Sequence, residues 1–93
     1  MTNDLKFEWD PEKEKENDNK HNVPFPEAST IFYDNNSITI EDESHSFYEQ
    51  RYITIGCTNY GRLLTVCATD RDDIIRIISA RDATKQERTT YEQ

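Results

Sequence analysis

Three short runs rich in β-branched and apolar residues constrain the fold of this chain more than any other feature. The runs are Arg51–Cys57, Arg62–Ala68 and Ile74–Ser79. Polar breaks at 58–61 and 70–73 separate them, and these breaks contain the asparagine, glycine and aspartate residues that favour turns. Short runs of this kind, bounded by turn residues, predict three antiparallel strands joined by hairpins.

Alternation along these strands predicts one apolar face. If each break is a four-residue loop, Ile55 pairs with Leu64, and Val66 lies between Ile53 and Ile77. Because side chains alternate along a strand, the following six share a face: Ile53, Ile55, Leu64, Val66, Ile75 and Ile77. The opposite face then carries Tyr52, Thr54, Thr65, Cys67 and Arg76, with Leu63 and Ile78. An arginine and a phenol in the middle of a sheet point to this second face as the functional one.

The flanking segments predict further strands and short helices. Leu5–Asp10 alternates apolar and polar residues, which predicts a strand, and Asp10 caps a helix that begins at Pro11 and ends near Asn22. The other predicted elements are a helix at 26–33, a strand at 37–41, a loop at 42–50 with His45, Tyr48 and Glu49, and a terminal helix at 82–93. The prediction is one α+β domain, residues 1–93, with a central antiparallel sheet, short N-terminal helices and a C-terminal helix.

Composition and charge narrow the functional classes. The chain has 93 residues, of which 33% are hydrophobic, and this suits one small domain with a modest core. No run is apolar enough to span a membrane and the N-terminus does not resemble a signal peptide, so we expect a cytoplasmic protein. Cys57 and Cys67 fall within predicted strands without nearby histidines, and we expect free thiols, no metal site and no cofactor.

The formal net charge of −8 is distributed unevenly. Residues 1–49 hold four basic and thirteen acidic residues, whereas residues 50–93 hold seven basic and six acidic ones. Phosphate contacts require cations, so binding of RNA would have to depend on a local patch. The acidic first half favours a basic partner.

The sequence lacks the motifs of common enzymes, such as phosphate-binding glycine loops, HExxH and GxSxG. What remains is a set of charged residues around the predicted sheet: Lys20, His21, Glu49, Arg51, Arg62, Arg76 and Arg81. This set suits metal-free phosphodiester cleavage, in which a base deprotonates the ribose 2′-hydroxyl, guanidinium groups stabilise the phosphoryl oxygens and an acid protonates the leaving oxygen. The structural alternative is that the arginines are solvated or ion-paired, and that Lys20 and His21 complement a helix dipole.

Several segments across nearly the whole chain match one family pattern. In the first half they are Phe7–Asp10, Asn17, Lys20–His21, Val23, Phe25 and Glu27–Ala28. In the second half they are Arg51–Gly56, Gly61–Leu64, Ile75–Arg81, Glu87 and Tyr91. Together they resemble the BrnT (DUF497) toxins. The resemblance implies a cytoplasmic ribonuclease toxin of a bacterial type II toxin–antitoxin system, with a RelE-like fold. It also implies a BrnA-like antitoxin of the ribbon-helix-helix type that neutralises the toxin and makes the DNA contacts of the repressing complex.

The resemblance further implies which residues form the site. Six residues match polar positions of the family and are candidate catalytic residues: Lys20, His21, Glu49, Arg51, Arg76 and Arg81. We interpret Arg51 and Arg76 as phosphate binders. Either Glu49 or His21 is the base, and Lys20 adds supporting charge.

A non-catalytic function from a different class is the alternative. In this hypothesis the chain keeps the antitoxin-binding surface and acts in operon autoregulation, but does not cut RNA. Asn22 stands where the family has glycine, and Asp82 stands where a basic residue usually follows Arg81. The acidic net charge favours this alternative, as does the expectation that Asp82, next to Arg81, neutralises a phosphate contact of that arginine.

Overall fold

Five strands form one mixed sheet in the computed structural model, which describes residues 4–42 and 49–93. They are β1 (Lys6–Glu8), β2 (Ile38–Asp42), β3 (Arg51–Cys57), β4 (Leu63–Arg71) and β5 (Ile74–Asp82), in the spatial order β1-β5-β4-β3-β2. Strands β2 to β5 pair antiparallel, as predicted, whereas β1 pairs with β5 in the parallel direction. The α+β class is confirmed, with a parallel strand added at one edge of the antiparallel sheet.

The helices lie between β1 and β2 and after β5, close to the predicted segments of the chain. They are α1 (Pro11–His21), α2 (Phe25–Ser29), a 3-10 turn (Thr30–Tyr33) and α3 (Lys85–Tyr91). The predicted helix at 26–33 is thus divided between α2 and the 3-10 turn. None of the helices in the described part of the chain is long and apolar enough to cross a membrane. His45 and Tyr48 of the predicted loop lie outside the described residues.

Local capping determines where α1 and α3 begin. The Asp10 side chain accepts a hydrogen bond from the backbone N–H of Glu12, and α1 ends at Asn22 in the left-handed conformation, both as predicted. The α3 helix begins with a capping box between Thr84 and Glu87, later than predicted, because Asp82 still belongs to β5.

The hydrophobic core lies between one sheet face and the helices α1 and α2 with the 3-10 turn. Its buried residues are Val23, Phe25, Ala28, Ile31, Leu64, Val66, Ile77 and Ala80, and Phe7, Trp9 and Phe32 pack against them. Val66 is 0% and Ile77 1% exposed, so the predicted burial of both is confirmed. We call the opposite side of the sheet the outer face.

The predicted register of the first hairpin is wrong by one residue. Five residues separate β3 from β4, and Thr54, not Ile53, pairs with Val66. A slip of one residue turns every side chain of a strand to the other face. Ile53 and Ile55 therefore lie on the outer face, and Tyr52 lies on the core side with Thr54.

A close contact explains why β3 takes this register. A Cβ atom added to Gly56 would lie 2.9 Å from Cβ of Ile31, closer than real side chains approach. The 3-10 turn can pack this tightly only where the strand presents glycine to it. The register that directs Gly56 to the core face also directs Thr54 there.

The second hairpin is tighter than the predicted four-residue loop. Its turn consists of Asp72 and Asp73, whose φ angles are 51° and 69°. Two consecutive positive φ values are typical of a type I′ turn, whose twist matches that of the flanking strands. Strand β4 consequently extends further than predicted, to Arg71.

A β-bulge in β5 changes the pairing beyond this turn. Cys67 pairs with Ser79, whereas Ala68 pairs with Ile77, so that Ile78 is an extra residue. Because the turn has two residues and not four, Ile77 faces Ala68 and not the predicted partner, Val66. Side chains before and after the bulge nevertheless keep the faces predicted for β4 and β5.

Candidate active site

The outer face carries three of the predicted site arginines. Arg51 pairs with Thr69, and Thr69 pairs with Arg76 on its other side, which places the two arginines two strands apart. At the usual spacing of strands their Cα atoms are about 10 Å apart. Arg81 lies on the same face further along β5, where it pairs with Thr65.

Two of these arginines line one groove on the outer face, which we call the arginine groove. Its volume is about 260 Å³, and it is lined by Asp42, Arg51, Ile53, Thr65, Cys67, Ile78, Ser79 and Arg81. The Nε atom of Arg51 is buried and has no hydrogen-bond partner within residues 4–42 and 49–93. An unsatisfied buried donor is unfavourable, so this placement of Arg51 lowers the stability of the fold.

Glu49 contacts two arginines at the edge of this face. Its carboxylate oxygens lie 3.4 Å from Nη2 of Arg51 and 3.1 Å from Nη2 of Arg71. The hydrogen bond from Arg71 and the charges of both arginines hold the pKa of Glu49 below its ordinary value, although burial opposes this. Glu49 is suited to orienting Arg51, and its lowered proton affinity makes it a weaker base.

Arg76 has an acidic partner that the sequence pattern did not suggest. Its Nη1 atom donates to Oε2 of Glu8 at 2.8 Å, because the parallel pairing of β1 places the two residues side by side. Arg76 lies opposite Thr69 and not opposite Cys67 as predicted, and it is not among the residues that line the arginine groove. The structural alternative, an ion pair, therefore applies to Arg76.

Arg81 binds a carboxylate of α3 with both terminal nitrogens. Its Nη1 and Nη2 donate to the two oxygens of Glu87 at 2.7 Å and 3.0 Å. The same carboxylate accepts hydrogen bonds from Oγ1 of Thr65 and from the backbone N–H of Thr84, each at 2.9 Å. The hydrogen bonds from Arg81 lower the pKa of Glu87 to about 2, and Glu87 in turn raises the pKa of Arg81. Since Thr65 and Arg81 lie on the outer face, α3 covers part of that face.

The expectation that Asp82 neutralises Arg81 is wrong. The Asp82 carboxylate instead accepts two hydrogen bonds from Arg62, at 2.7 Å and 3.1 Å, and this interaction lowers the pKa of Asp82. Arg62 also donates to the backbone oxygen of Asn22 at 2.7 Å, at the end of α1. Arg62 thus has a structural role in joining α1 to β5.

Lys20 and His21 line a second groove, which we call the α1 groove. It has a volume of about 290 Å³ and is lined by Lys13, Glu16, Asn17, Lys20, His21, Ile78 and Ser79. Ile78 and Ser79 line the arginine groove as well. The two grooves are therefore neighbours, and Lys20 and His21 lie next to the arginine groove without lining it.

Asn17 holds α1 against β5. Its Nδ2 donates to the backbone oxygen of Ala80 at 2.8 Å, and its Oδ1 accepts from the backbone N–H of Ala80 at 3.0 Å. Strand β1 pairs with β5 only as far as Arg76, so the amide side chain replaces the missing backbone partner. This contact fixes Lys20 and His21, one helical turn later, beside β5.

The partners of the arginines were not predicted, although the sequence contained signals for some of them. The spacing of Thr84 and Glu87 is that of a capping box, which would have marked the helix start and its carboxylate. Alternation in the first strand already placed Glu8 away from the apolar residues. Neither signal reveals which arginine each carboxylate binds, because the Glu8–Arg76 pair depends on the pairing of β1 with β5 and the Glu87–Arg81 pair depends on how α3 packs on the sheet.

The two cysteines do not form a disulfide bond. Cys57 and Cys67 are free, as predicted, and burial raises the pKa of the Cys67 thiol. Among residues 4–42 and 49–93 there is no group of three or more histidine, cysteine, aspartate or glutamate side chains that could hold a metal ion.

Comparisons with known proteins identify the family. The sequence profile described as "Ribonuclease toxin, BrnT, of type II toxin-antitoxin system" matches residues 9–87. Among solved structures, the crystal structure of the Brucella abortus ribonuclease toxin BrnT is similar, with a TM-score of 0.68 and 20% sequence identity over 88% of this chain and 100% of that one. A search of curated proteins found no match. The structural similarity shows a shared fold, and because the profile covers most of the sequence, this chain belongs to the BrnT family of ribonuclease toxins of type II toxin–antitoxin systems.

Proposed function

We propose that this chain cleaves RNA at the arginine groove by a metal-independent mechanism. The observation that carries the proposal is that Arg51 and Arg81 line one groove on the outer face. Planar guanidinium groups bind the oxygens of a phosphodiester and stabilise the charge that develops on them during cleavage. Membership of a ribonuclease toxin family supports this assignment.

The reaction needs a base and an acid in addition to the arginines. A base removes the proton of the 2′-hydroxyl, the 2′-oxygen attacks the adjacent phosphorus, and the 5′-oxygen leaves with a proton from an acid. The products are a 2′,3′-cyclic phosphate and a 5′-hydroxyl end. We assign His21 as the base, because the contacts with Arg51 and Arg71 lower the proton affinity of Glu49. Lys20 adds positive charge beside His21.

Cleavage of a labelled RNA by the purified chain in the presence of EDTA tests the proposal. Arg51→Ala should reduce the rate about 10²- to 10³-fold, as expected for the loss of one donor to the transition state. Arg88→Ala removes the same charge from an exposed position of α3 and should leave the rate unchanged. Full inhibition by EDTA, or parental activity in Arg51→Ala, would contradict the proposal.

The role of Arg76 requires a separate comparison, because Arg76 forms an ion pair with Glu8. Both Arg76→Ala and Glu8→Gln break this ion pair, but only Arg76→Ala removes the cation. If Arg76 binds phosphate, Arg76→Ala cleaves RNA slowly while Glu8→Gln retains activity. Equal rates in the two variants would restrict Arg76 to a structural role.

Membership of a type II toxin–antitoxin family implies an antitoxin partner. We infer that it is a BrnA-like protein of the ribbon-helix-helix type, which neutralises the toxin and makes the DNA contacts of the complex. The negative net charge of residues 1–49 supports binding of a basic antitoxin segment.

We further propose that residues 1–93 act as one domain in the cytoplasm.

One observation favours a non-catalytic function. Each outer-face arginine of the candidate site is already paired with a carboxylate, and these pairs are Arg51–Glu49, Arg76–Glu8 and Arg81–Glu87. If the pairs persist with RNA, the chain would bind the antitoxin and act only in operon autoregulation. Expression of the chain alone distinguishes the two functions, because the enzyme arrests growth and degrades RNA whereas the non-catalytic module does neither.

A further inference from the structure

We propose that the α1 groove is a second nucleotide-binding subsite of the RNA site, in which Lys13 binds a backbone phosphate. This inference rests on the proposed function, since it extends the same RNA strand beyond the arginine groove. The strand would cross β5 at Ile78 and Ser79 and occupy both grooves. Lys13 has no role in the cleavage step described above.

Continuity of the two grooves is the first argument. Ile78 and Ser79 line both of them, so the two grooves meet along this part of β5. Ile78 is the extra residue of the β-bulge, and the bulge places it on the outer face with Cys67 and Ser79. Bulges commonly redirect a side chain next to a functional site.

The volumes of the grooves are the second argument. They measure about 290 Å³ and 260 Å³, just below the range of about 300–1,000 Å³ that is usual for pockets that enclose a small molecule. Each groove is therefore suited to one part of an extended ligand. Consecutive nucleotides of a single strand are such a ligand.

The arrangement of charges on α1 is the third argument. Lys13, Glu16, Asn17 and Lys20 line the α1 groove at the spacing of one helix face. Lys13 and Lys20 are about 10 Å apart along the helix axis, so a strand in the groove meets two cations. Glu16 opposes them. Lys15 is exposed on α1 and is not among the lining residues.

Binding of 2′-O-methyl oligonucleotides of increasing length tests the subsite without cleavage, because the attacking hydroxyl is blocked. Fluorescence anisotropy at several salt concentrations should show that the parent chain gains affinity as a dinucleotide is extended. Lys13→Ala should abolish this gain and reduce the slope of log K against log salt by about 0.7, the contribution of one phosphate contact to a single strand. Dinucleotide binding should not change.

Two matched variants complete the experiment. Lys15→Ala removes the same charge from the same helix and should bind all lengths as the parent does. Glu16→Gln should strengthen binding of the longer oligonucleotides only. If Lys13→Ala and Lys15→Ala weaken binding equally, or if neither has an effect, the subsite is overturned. Either of these outcomes would leave the proposed function standing if Arg51→Ala loses dinucleotide binding, because the dinucleotide occupies only the arginine groove. A parent chain that binds no oligonucleotide would overturn both.

Discussion

At the scale of single residues, Glu87 connects three elements, β4, β5 and α3. Its carboxylate binds Arg81 of β5 and Thr65 of β4, and it also closes the capping box with Thr84. The α3 helix has no buried residue of its own, so polar contacts hold it on the sheet. One carboxylate thus fixes the position of α3 and the orientation of a proposed phosphate-binding arginine.

This interaction predicts a specific loss of stability in acid. The pKa of Glu87 is about 2 in the folded chain against an ordinary 4.5, so its contribution to stability is present above pH 4.5 and is lost as the pH falls towards 2. Over this window the parent should lose about 1–3 kcal/mol more unfolding free energy than Glu87→Gln, an amount reduced by the solvent exposure of Arg81. Urea unfolding at a series of pH values measures the difference. Glu92→Gln, at the exposed end of α3, should follow the parent, and a Glu87→Gln curve parallel to that of the parent would contradict the prediction.

At the scale of elements, Asn17 makes the buried polar contact between α1 and the sheet. Asn17 is its only buried residue, and both polar atoms of the Asn17 side chain contact the backbone of Ala80, which is fully buried. The rest of the helix is largely charged and contributes little apolar surface. The position of Lys20 and His21 beside β5 therefore depends on Asn17 together with Arg62, which contacts the end of α1.

Asn17→Ala should consequently destabilise the chain by about 2–4 kcal/mol, because the N–H and C=O groups of Ala80 both lose their partner in a buried position. Thermal and urea unfolding measure the loss. Asn19→Ala alters the exposed side of the same helix and should change stability by less than about 0.5 kcal/mol. Similar stabilities of the two variants would show that α1 is held in another way.

The elements also show what could be predicted from the sequence. Features decided by neighbouring residues were predictable, and the cap at Asp10 and the left-handed end at Asn22 are examples. The register of β3 was not, because it depends on the contact of Gly56 with Ile31, a residue 25 positions earlier in the chain. The parallel pairing of β1 with β5 was missed for the same reason, and with it the ion pair of Arg76.

The candidate site was predictable to the same extent as the fold. Alternation placed Arg76 correctly on the face away from the core, because its immediate neighbours face inwards. It did not distinguish Arg51 and Arg81, which share a groove, from Arg76, which does not line it. That distinction depends on the pairing of three strands and on the bulge at Ile78.

At the scale of the whole molecule, charge is distributed unevenly along the chain. Residues 1–49 carry a formal charge of −9, whereas residues 50–93 carry +1 and contain every arginine. The net charge of the first half repels an RNA strand, so attraction is limited to local groups of cations, which are the arginines of the sheet and Lys13 and Lys20 of the α1 groove. The first half is therefore the surface that favours a basic protein, and this agrees with the antitoxin partner that the family implies.

This asymmetry predicts how the antitoxin associates with the toxin. Attraction between the acidic half and a basic antitoxin should make the association rate constant fall steeply with salt, while the dissociation rate constant changes little. A double substitution of exposed α1 residues, Glu12→Gln with Asp18→Asn, should slow association several-fold in stopped-flow measurements. The double substitution Asp72→Asn with Asp73→Asn removes the same charge from the β4–β5 turn, where asparagine also tolerates a positive φ, and should leave the rate nearly unchanged. Association that is insensitive to salt, or equally slow in both double variants, would show that the acidic half does not steer the antitoxin.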